Sequence, residues 1–282
     1  MRSARSAGFE ANKLNMELFY RKEGSGSPLV IVHGLYGSSD NWLNVGKRLA
    51  EKHTVYMIDQ RNHGHSPFAE THTYNDLRND LEEFFERHNI EKAILLGHSM
   101  GGKVAMWFAA DFPERIEKLV IADIAPKNYL LLKDESQFYL HRNILLAMQE
   151  IDFSLVKSRN DVDDYMAEKI DDARIRQFLL KNVEKNKKTK QYQWRVNAEV
   201  LYDYLEEIVS GVNKSWLDDR IPITAYPVIF IRGLLSKYIQ DDDKELIKEI
   251  YPDANVVDIP EAGHWLHAEK PREFMKAVML CC

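Results

Sequence analysis

The chain has 282 residues, 45% of them hydrophobic, and a formal charge of −6 from 38 basic and 44 acidic side chains. That length suits one large domain or a core with an insertion; no apolar run approaches the ~20 residues of a membrane span, and the acidic balance offers no basic face to nucleic acid. The two cysteines, Cys281 and Cys282, are adjacent and have no third thiol to pair with, which points to a reducing compartment, the cytoplasm.

Residues 1–15 carry Arg2, Ser3, Arg5 and Ser6 but no apolar core, so they read as a disordered leader rather than a secretory signal. Glu17 to Lys22 alternates like an edge strand, and Leu29-Val30-Ile31-Val32 is a buried-strand run ending at His33-Gly34. A helix is expected over Asn41 to Lys52, then a strand over Thr54 to Ile58, then an amphipathic helix opened by Thr73 and running to about His88. A strand over 92–97, a helix over 102–111 and a strand from Lys118 to Ala122, ending in Asp123, follow. Residues 126–220 read as successive helices without a strand. The alternation resumes at Val228-Ile229-Phe230-Ile231, with a helix over Asp241 to Ile250, a strand over Asn255 to Ile259 and a last helix from Pro271. Apolar strands alternating with helices imply an α/β fold whose mostly parallel sheet is flanked by helices on both faces. The simplest division is a core of 16–125 and 221–282 with a helical cap, 126–220, inserted.

The most informative stretch is Gly97-His98-Ser99-Met100-Gly101-Gly102, between an apolar strand and a helical pattern. Gly-x-Ser-x-Gly at such a junction is a nucleophile elbow: the turn is too sharp for side chains at either glycine, and it lifts the serine hydroxyl to the carboxyl edge of the sheet. A serine hydroxyl is a poor nucleophile and needs a base. Of ten histidines, His264 lies in the loop after the last strand, where it can swing over the elbow. His267, one step into the following segment, is the nearest competitor.

His33-Gly34, Asp59-Gln60-Arg61-Asn62-His63-Gly64-His65-Ser66, the Ser99 elbow and Ala262-Gly263-His264-Trp265 together resemble an α/β-hydrolase. The closer resemblance is to small esterases of the YbfF type, through His33 to Ser38, Asp123-Ile124-Ala125-Pro126, Trp194-Arg195-Val196-Asn197 and His264 to Pro271. The resemblance implies a capped α/β-hydrolase fold and a serine, histidine and acid acting together without cofactor or metal. Many relatives carry the acid a few residues after the strand that here is 228–232, but this chain has Ser236 there. Two substitutes exist: Asp123, at the end of the strand after the elbow unit, and the run Asp241-Asp242-Asp243, which reads as the water-facing start of a helix. The YbfF-type resemblance implies an acid at Asp123. Position in that fold also assigns the oxyanion donors to the backbone N–H groups of Leu35 and Met100.

The expected chemistry is cleavage of small-molecule carboxylic esters or thioesters. Carbon–carbon hydrolysis, perhydrolysis or a ligand receptor on the same scaffold remain alternatives, because fold and triad do not fix substrate. Tyr36, Phe138, Leu145, Phe178, Trp194 and Trp265 are candidates to line the acyl pocket, although the cap residues among them are equally explained as cap core. His63 and His65 lack a third ligand and are weak evidence for a metal. Asp59, Arg61 and Gly64 are expected to pin their loop, Lys185 to Lys190 to form a solvated turn between cap helices, and Arg195 and Asn197 to tie cap to core or to face the acyl group, with the structural role favoured.

Overall fold

The computed structural model describes residues 16–131 and 136–279; the expected leader and the Cys281–Cys282 pair lie outside the described residues. β1 (Tyr20–Glu23) and β2 (Ser27–Val32) lead through a 3₁₀ turn at Ser39–Trp42 and α1 (Leu43–Leu49) to β3 (His53–Ile58). α2 (Tyr74–Arg87), β4 (Ala93–His98), α3 (Met100–Asp111) and β5 (Ile116–Ala122) follow. The chain then passes through α4 (Ser136–Gln149), α5 (Arg159–Ala167), α6 (Ala173–Leu179), β6 (Val183–Lys185), β7 (Tyr192–Trp194), α7 (Ala198–Asp203), α8 (Leu205–Ser210) and α9 (Lys214–Leu217). It closes with β8 (Val228–Gly233), α10 (Asp243–Ile250), β9 (Asn255–Ile259), α11 (Leu266–Glu269) and α12 (Pro271–Met279).

Seven strands form one sheet in the order β1-β3-β2-β4-β5-β8-β9, and only the edge strand β1 runs antiparallel to its neighbour. Side chains alternate across it with period two, and both faces are buried. Leu29, Ile31, Ile94, Leu96 and Val120 join a core with Trp42, Leu49, Phe274 and Val278, from the turn before α1, α1 and α12. Val30, Val32, Leu95, Leu119 and Ile121 point the other way, against Phe84, Phe85, Val104 and Phe108 of α2 and α3. Continuous apolar runs, rather than alternating ones, are what a two-sided sheet requires.

The strand order also selects the place for chemistry. β2 connects onward to β3 on one side, while its other neighbour, β4, connects onward to β5 on the opposite side. The loops leaving β2 and β4 therefore diverge, and a crevice opens at their carboxyl ends, the switch point where ligands bind in open α/β sheets.

Two local expectations are corrected. The helix expected over 41–52 begins as a 3₁₀ turn and is α-helical only over Leu43–Leu49; Ser38 N donates to Asn41 Oδ1 at 2.8 Å and sets the entry. The segment 126–220 is not all helical, because β6 and β7 pair as a hairpin. The Lys185 to Lys190 run turns that hairpin rather than joining helices, with Asn186 N donating to Gln191 O at 2.8 Å. Three-residue strands are too short for alternation to be counted in sequence.

Candidate active site

Ser99 ends β4 with φ 53° and ψ −123°, left-handed backbone that a non-glycine residue adopts only under constraint. Its N–H donates to Ala122 O at 3.0 Å, and its carbonyl accepts from Gly102 N and Lys103 N. Gly97 and Gly101 are needed for space. A Cβ at Gly97 would come within 2.7 Å of Gly102 Cα, and one at Gly101 within 2.7 Å of the Val32 carbonyl carbon. Gly34 matters for the same reason: its Cβ would lie 3.0 Å from Ser99 Cβ.

His264 Nε2 lies 2.9 Å from Ser99 Oγ, and His264 Nδ1 lies 2.8 Å from Asp123 Oδ2. An ionised carboxylate only accepts, so Nδ1 carries the imidazole proton and Nε2 is left to accept from the serine. Asp123 is fully buried and, like Ser99, has a positive φ, 51°. Its N–H donates to Ile231 O at 2.8 Å, tying it to the next strand. Its Oδ1 accepts from Gly233 N at 3.1 Å, and its Oδ2 accepts from Ser236 Oγ as well as from His264. Ser236, after β8, thus donates to a carboxylate that stands one strand earlier, after β5. The Asp241–Asp243 run is engaged elsewhere: Asp241 pairs with Arg232 at 2.8 Å, and Asp243 is buried against Lys127 at 2.6 Å, not facing water.

Three contacts missed in the sequence hold the imidazole. Tyr238 stacks on it, with ring centroids 3.9 Å apart and planes at 24°. Tyr238 N in turn donates to Ser236 Oγ at 3.2 Å. His98 Nε2 donates to His264 O at 2.9 Å, so the residue before Ser99 anchors the backbone of His264. The spacing Ser236-x-Tyr238 and the unspecified position of the elbow were the only sequence signals, and neither names a partner. His267, the competing base, instead stacks on Trp42 at 4.3 Å, and burial pushes it down to about 3.

Met100 is the first residue of α3, so its N–H has no intrahelical acceptor. Leu35, in the loop after β2, has a backbone N–H with no partner among the described residues. Two histidines hold that loop. His33 Nδ1 donates to Gly34 O at 2.8 Å while its Nε2 accepts from Gln60 N at 3.0 Å. His63 Nδ1 donates to Arg61 O at 3.0 Å while its Nε2 accepts from Tyr36 N at 3.2 Å. Burial pushes His33 down to about 4 and His63 to about 3, so both are neutral braces at ordinary pH. Asp59 binds Ser39 N at 2.5 Å and His65 N at 2.8 Å, and Arg61 forks onto Asp80 at 2.6 and 2.7 Å. Arg195 reaches Asp40 at 3.2 Å and His65 Nε2 at 2.9 Å, and Asn197 Nδ2 donates to Asn62 Oδ1 at 3.1 Å. Both link the inserted segment to the loops beside the sheet. Among the described residues no group of three or more His, Cys, Asp or Glu side chains could hold a metal, and no helix is long and apolar enough to cross a membrane.

A cavity of about 510 Å³ opens over Ser99 and His264. Of the candidate lining residues, Tyr36, Phe178 and Trp265 face it, and Leu140, His141, Ile144 and Ile175 join them unannounced by the sequence. Phe138, Leu145 and Trp194 do not line it. Leu145 is fully buried in the packing of the inserted segment, Phe138 rests against that core, and Trp194 turns away to donate its Nε1–H to Met148 O at 2.9 Å. Helical spacing showed an apolar face on α4 without showing which of its residues meet the cavity.

This geometry agrees with what the chain is similar to. The family model for the alpha/beta hydrolase fold matches residues 27–271. The sn-1-specific diacylglycerol lipase ABHD11 of Danio rerio is 35% identical over 265 residues, covering 91% of this chain and 78% of that protein. Esterase YbfF of Escherichia coli strain K12 is 33% identical over 258 residues, covering 92% and 94%. A solved marine microorganism esterase superposes with a TM-score of 0.87 at 43% identity, covering 94% of this chain and 99% of that one. The chain belongs to the α/β-hydrolase fold family, among relatives named as esterases and a lipase.

Proposed function

We propose that the protein is a serine hydrolase that cleaves carboxylic esters, with thioesters within the same chemistry. The observation that carries this is the unbroken hydrogen-bonded series from Ser99 Oγ through the His264 imidazole to the buried Asp123 carboxylate. As Ser99 Oγ attacks the acyl carbon, its proton passes to His264 Nε2 and the carbonyl becomes an oxyanion. The N–H groups of Leu35 and Met100 hold that charge; removing one such donor typically costs about 3 kcal/mol of transition-state stabilisation. The carbon–oxygen (or carbon–sulfur) bond to the leaving group then breaks, and the leaving group takes the proton from Nε2. Water, deprotonated by the same nitrogen, attacks the acyl-serine and regenerates the hydroxyl while the carboxylic acid departs. Asp123 keeps the imidazole in the required tautomer and stabilises it when charged.

In this reading residues 126–220 act as a cap over a core of 16–125 and 221–282, and the cap supplies much of the substrate cavity. The esterase names of the relatives support ester substrates. The sequence's two cysteines, adjacent at Cys281 and Cys282, support a reducing, cytoplasmic setting. The test is covalent labelling by a fluorophosphonate together with steady-state turnover of short p-nitrophenyl esters. Labelling lost in Ser99→Ala and multiple turnover in the parent chain are expected. Failure of every ester and thioester to turn over overturns the assignment and leaves a receptor.

A further inference from the structure

Ser99 stands at the junction of two cavities of very different size. Besides the one of about 510 Å³ there is a second of about 30 Å³, and Leu35, Ser99, Gln137, His141 and Tyr238 line both. His264 lines the large cavity and not the small one, whereas Met100 lines the small one and not the large. Resting on the serine-hydrolase reading above, we propose that the small cavity receives the acyl substituent and the large one the alcohol. The preferred substrates are then short-acyl esters of bulky, largely apolar alcohols.

The assignment follows from where the proton must go. The tetrahedral carbon bears the serine oxygen, the oxyanion, the acyl substituent and the leaving oxygen. The leaving oxygen must sit within reach of His264 Nε2 to be protonated, so its substituent extends into the cavity that His264 lines. With the oxyanion on the Leu35 and Met100 N–H groups and the leaving oxygen toward His264, the acyl substituent is assigned to the small cavity that those two donor residues also line.

The two cavities have matching characters. Thirty cubic ångströms hold about two water-sized groups, the size of an acetyl or propionyl tail. Buried Tyr74, Lys103, Ile124, Ile208 and Val209 complete its walls. Two of the polar groups there are partnered elsewhere: Lys103 Nζ donates to Ser210 O at 2.8 Å and Lys127 O at 3.0 Å, and Tyr74 Oη donates to Ile208 O at 3.0 Å, while His141 Nδ1, on the wall shared with the large cavity, is buried without a partner among the described residues. The large cavity, by contrast, is walled by Leu140, Ile144, Ile175 and Phe178 and reaches solvent at Leu235, which is 72% exposed.

Hexyl acetate and ethyl hexanoate have the same atoms with the ester reversed, and their hydrolysis can be followed by pH-stat titration. Because overfilling a small pocket by several methylenes is strongly disfavoured, hexyl acetate is expected to have about tenfold or more the higher kcat/KM. Ile208→Ala enlarges the small cavity and is expected to narrow that ratio about tenfold. Equal rates, or preference for ethyl hexanoate, in the parent chain overturn the assignment whether or not the variant folds. Absence of turnover on both esters, with no fluorophosphonate labelling, overturns the hydrolase reading on which it rests.

Discussion

Replacing Asp123 by asparagine is nearly isosteric, so its effect isolates the chemistry of one buried atom pair. Asp123 Oδ1 accepts from Gly233 N, and Oδ2 accepts from both His264 Nδ1 and Ser236 Oγ. An amide has one oxygen for these two sites. If the oxygen faced His264, the amide NH₂ would face the Gly233 N–H, and that buried donor would be left unpaired at a cost of about 1–3 kcal/mol. The backbone cannot change its donor, but the imidazole can move its proton. The amide oxygen therefore stays on Gly233, Nδ2 donates to His264 Nδ1, and the proton moves to Nε2. There it faces Ser99 Oγ, and the base can no longer take the serine proton. A tautomer trapped this way lowers kcat by about 10⁴, or about 5 kcal/mol of transition-state stabilisation. Steady-state hydrolysis of p-nitrophenyl acetate measures it, with a thermal melt to establish that the fold is retained. A folded Asp123→Asn protein with kcat within tenfold of the parent refutes the assignment and calls for another carboxylate.

Ser236→Ala removes one of three hydrogen bonds to Asp123 and leaves the charge and the tautomer intact, so kcat in the same assay is expected to fall about tenfold or less. Arg61 and Asp80 are both buried and joined by two hydrogen bonds, with burial raising the Asp80 carboxyl despite its partner. Arg61→Ala strands that carboxylate and should cost about 3–5 kcal/mol in urea unfolding, while an Arg61→Leu/Asp80→Leu double variant should lose less than the single. Acid stability follows from His33 and His63, which burial depresses from 6.5 to about 4 and about 3. The unfolded chain binds their protons first, so stability is full above pH 6.5 and falls as the pH drops from there toward 4, by on the order of 3 kcal/mol for His33 alone. A urea midpoint that stays constant between pH 7 and pH 4.5 contradicts this. Trp194→Ala should lower the melting temperature through its lost bond to Met148 O without altering acyl-length preference, because its ring does not line the cavity.

The sharp turn at Ser99 was legible because its constraints are local. The elbow needs glycines at 97 and 101 wherever it occurs, since backbone occupies the space their side chains would take. The strands were legible because a sheet buried on both faces demands unbroken apolar runs such as Leu29 to Val32. Thr73 was legible as a cap, and its side chain accepts from Asp76 N. Each of these depends on residues a few positions apart.

Contacts across long separations were not legible in that way. Local pattern left Asp123 and the Asp241–Asp243 run as candidates and only the resemblance favoured Asp123; its 141-residue separation from His264 is closed by the order β5-β8-β9 in the sheet. Tyr238 over the imidazole, His98 on the His264 carbonyl and Ser236 on Asp123 have no periodicity to announce them. Phe138, Leu145 and Trp194 looked like pocket residues because an apolar helix face looks the same whether it meets another helix or a cavity. Short-range sterics and hydrophobic pattern are written into neighbouring residues, and they specify the strands and the elbow. Which carboxylate meets His264, and how deep each side of Ser99 runs, depend on how distant segments pack, and only the folded chain holds those distances.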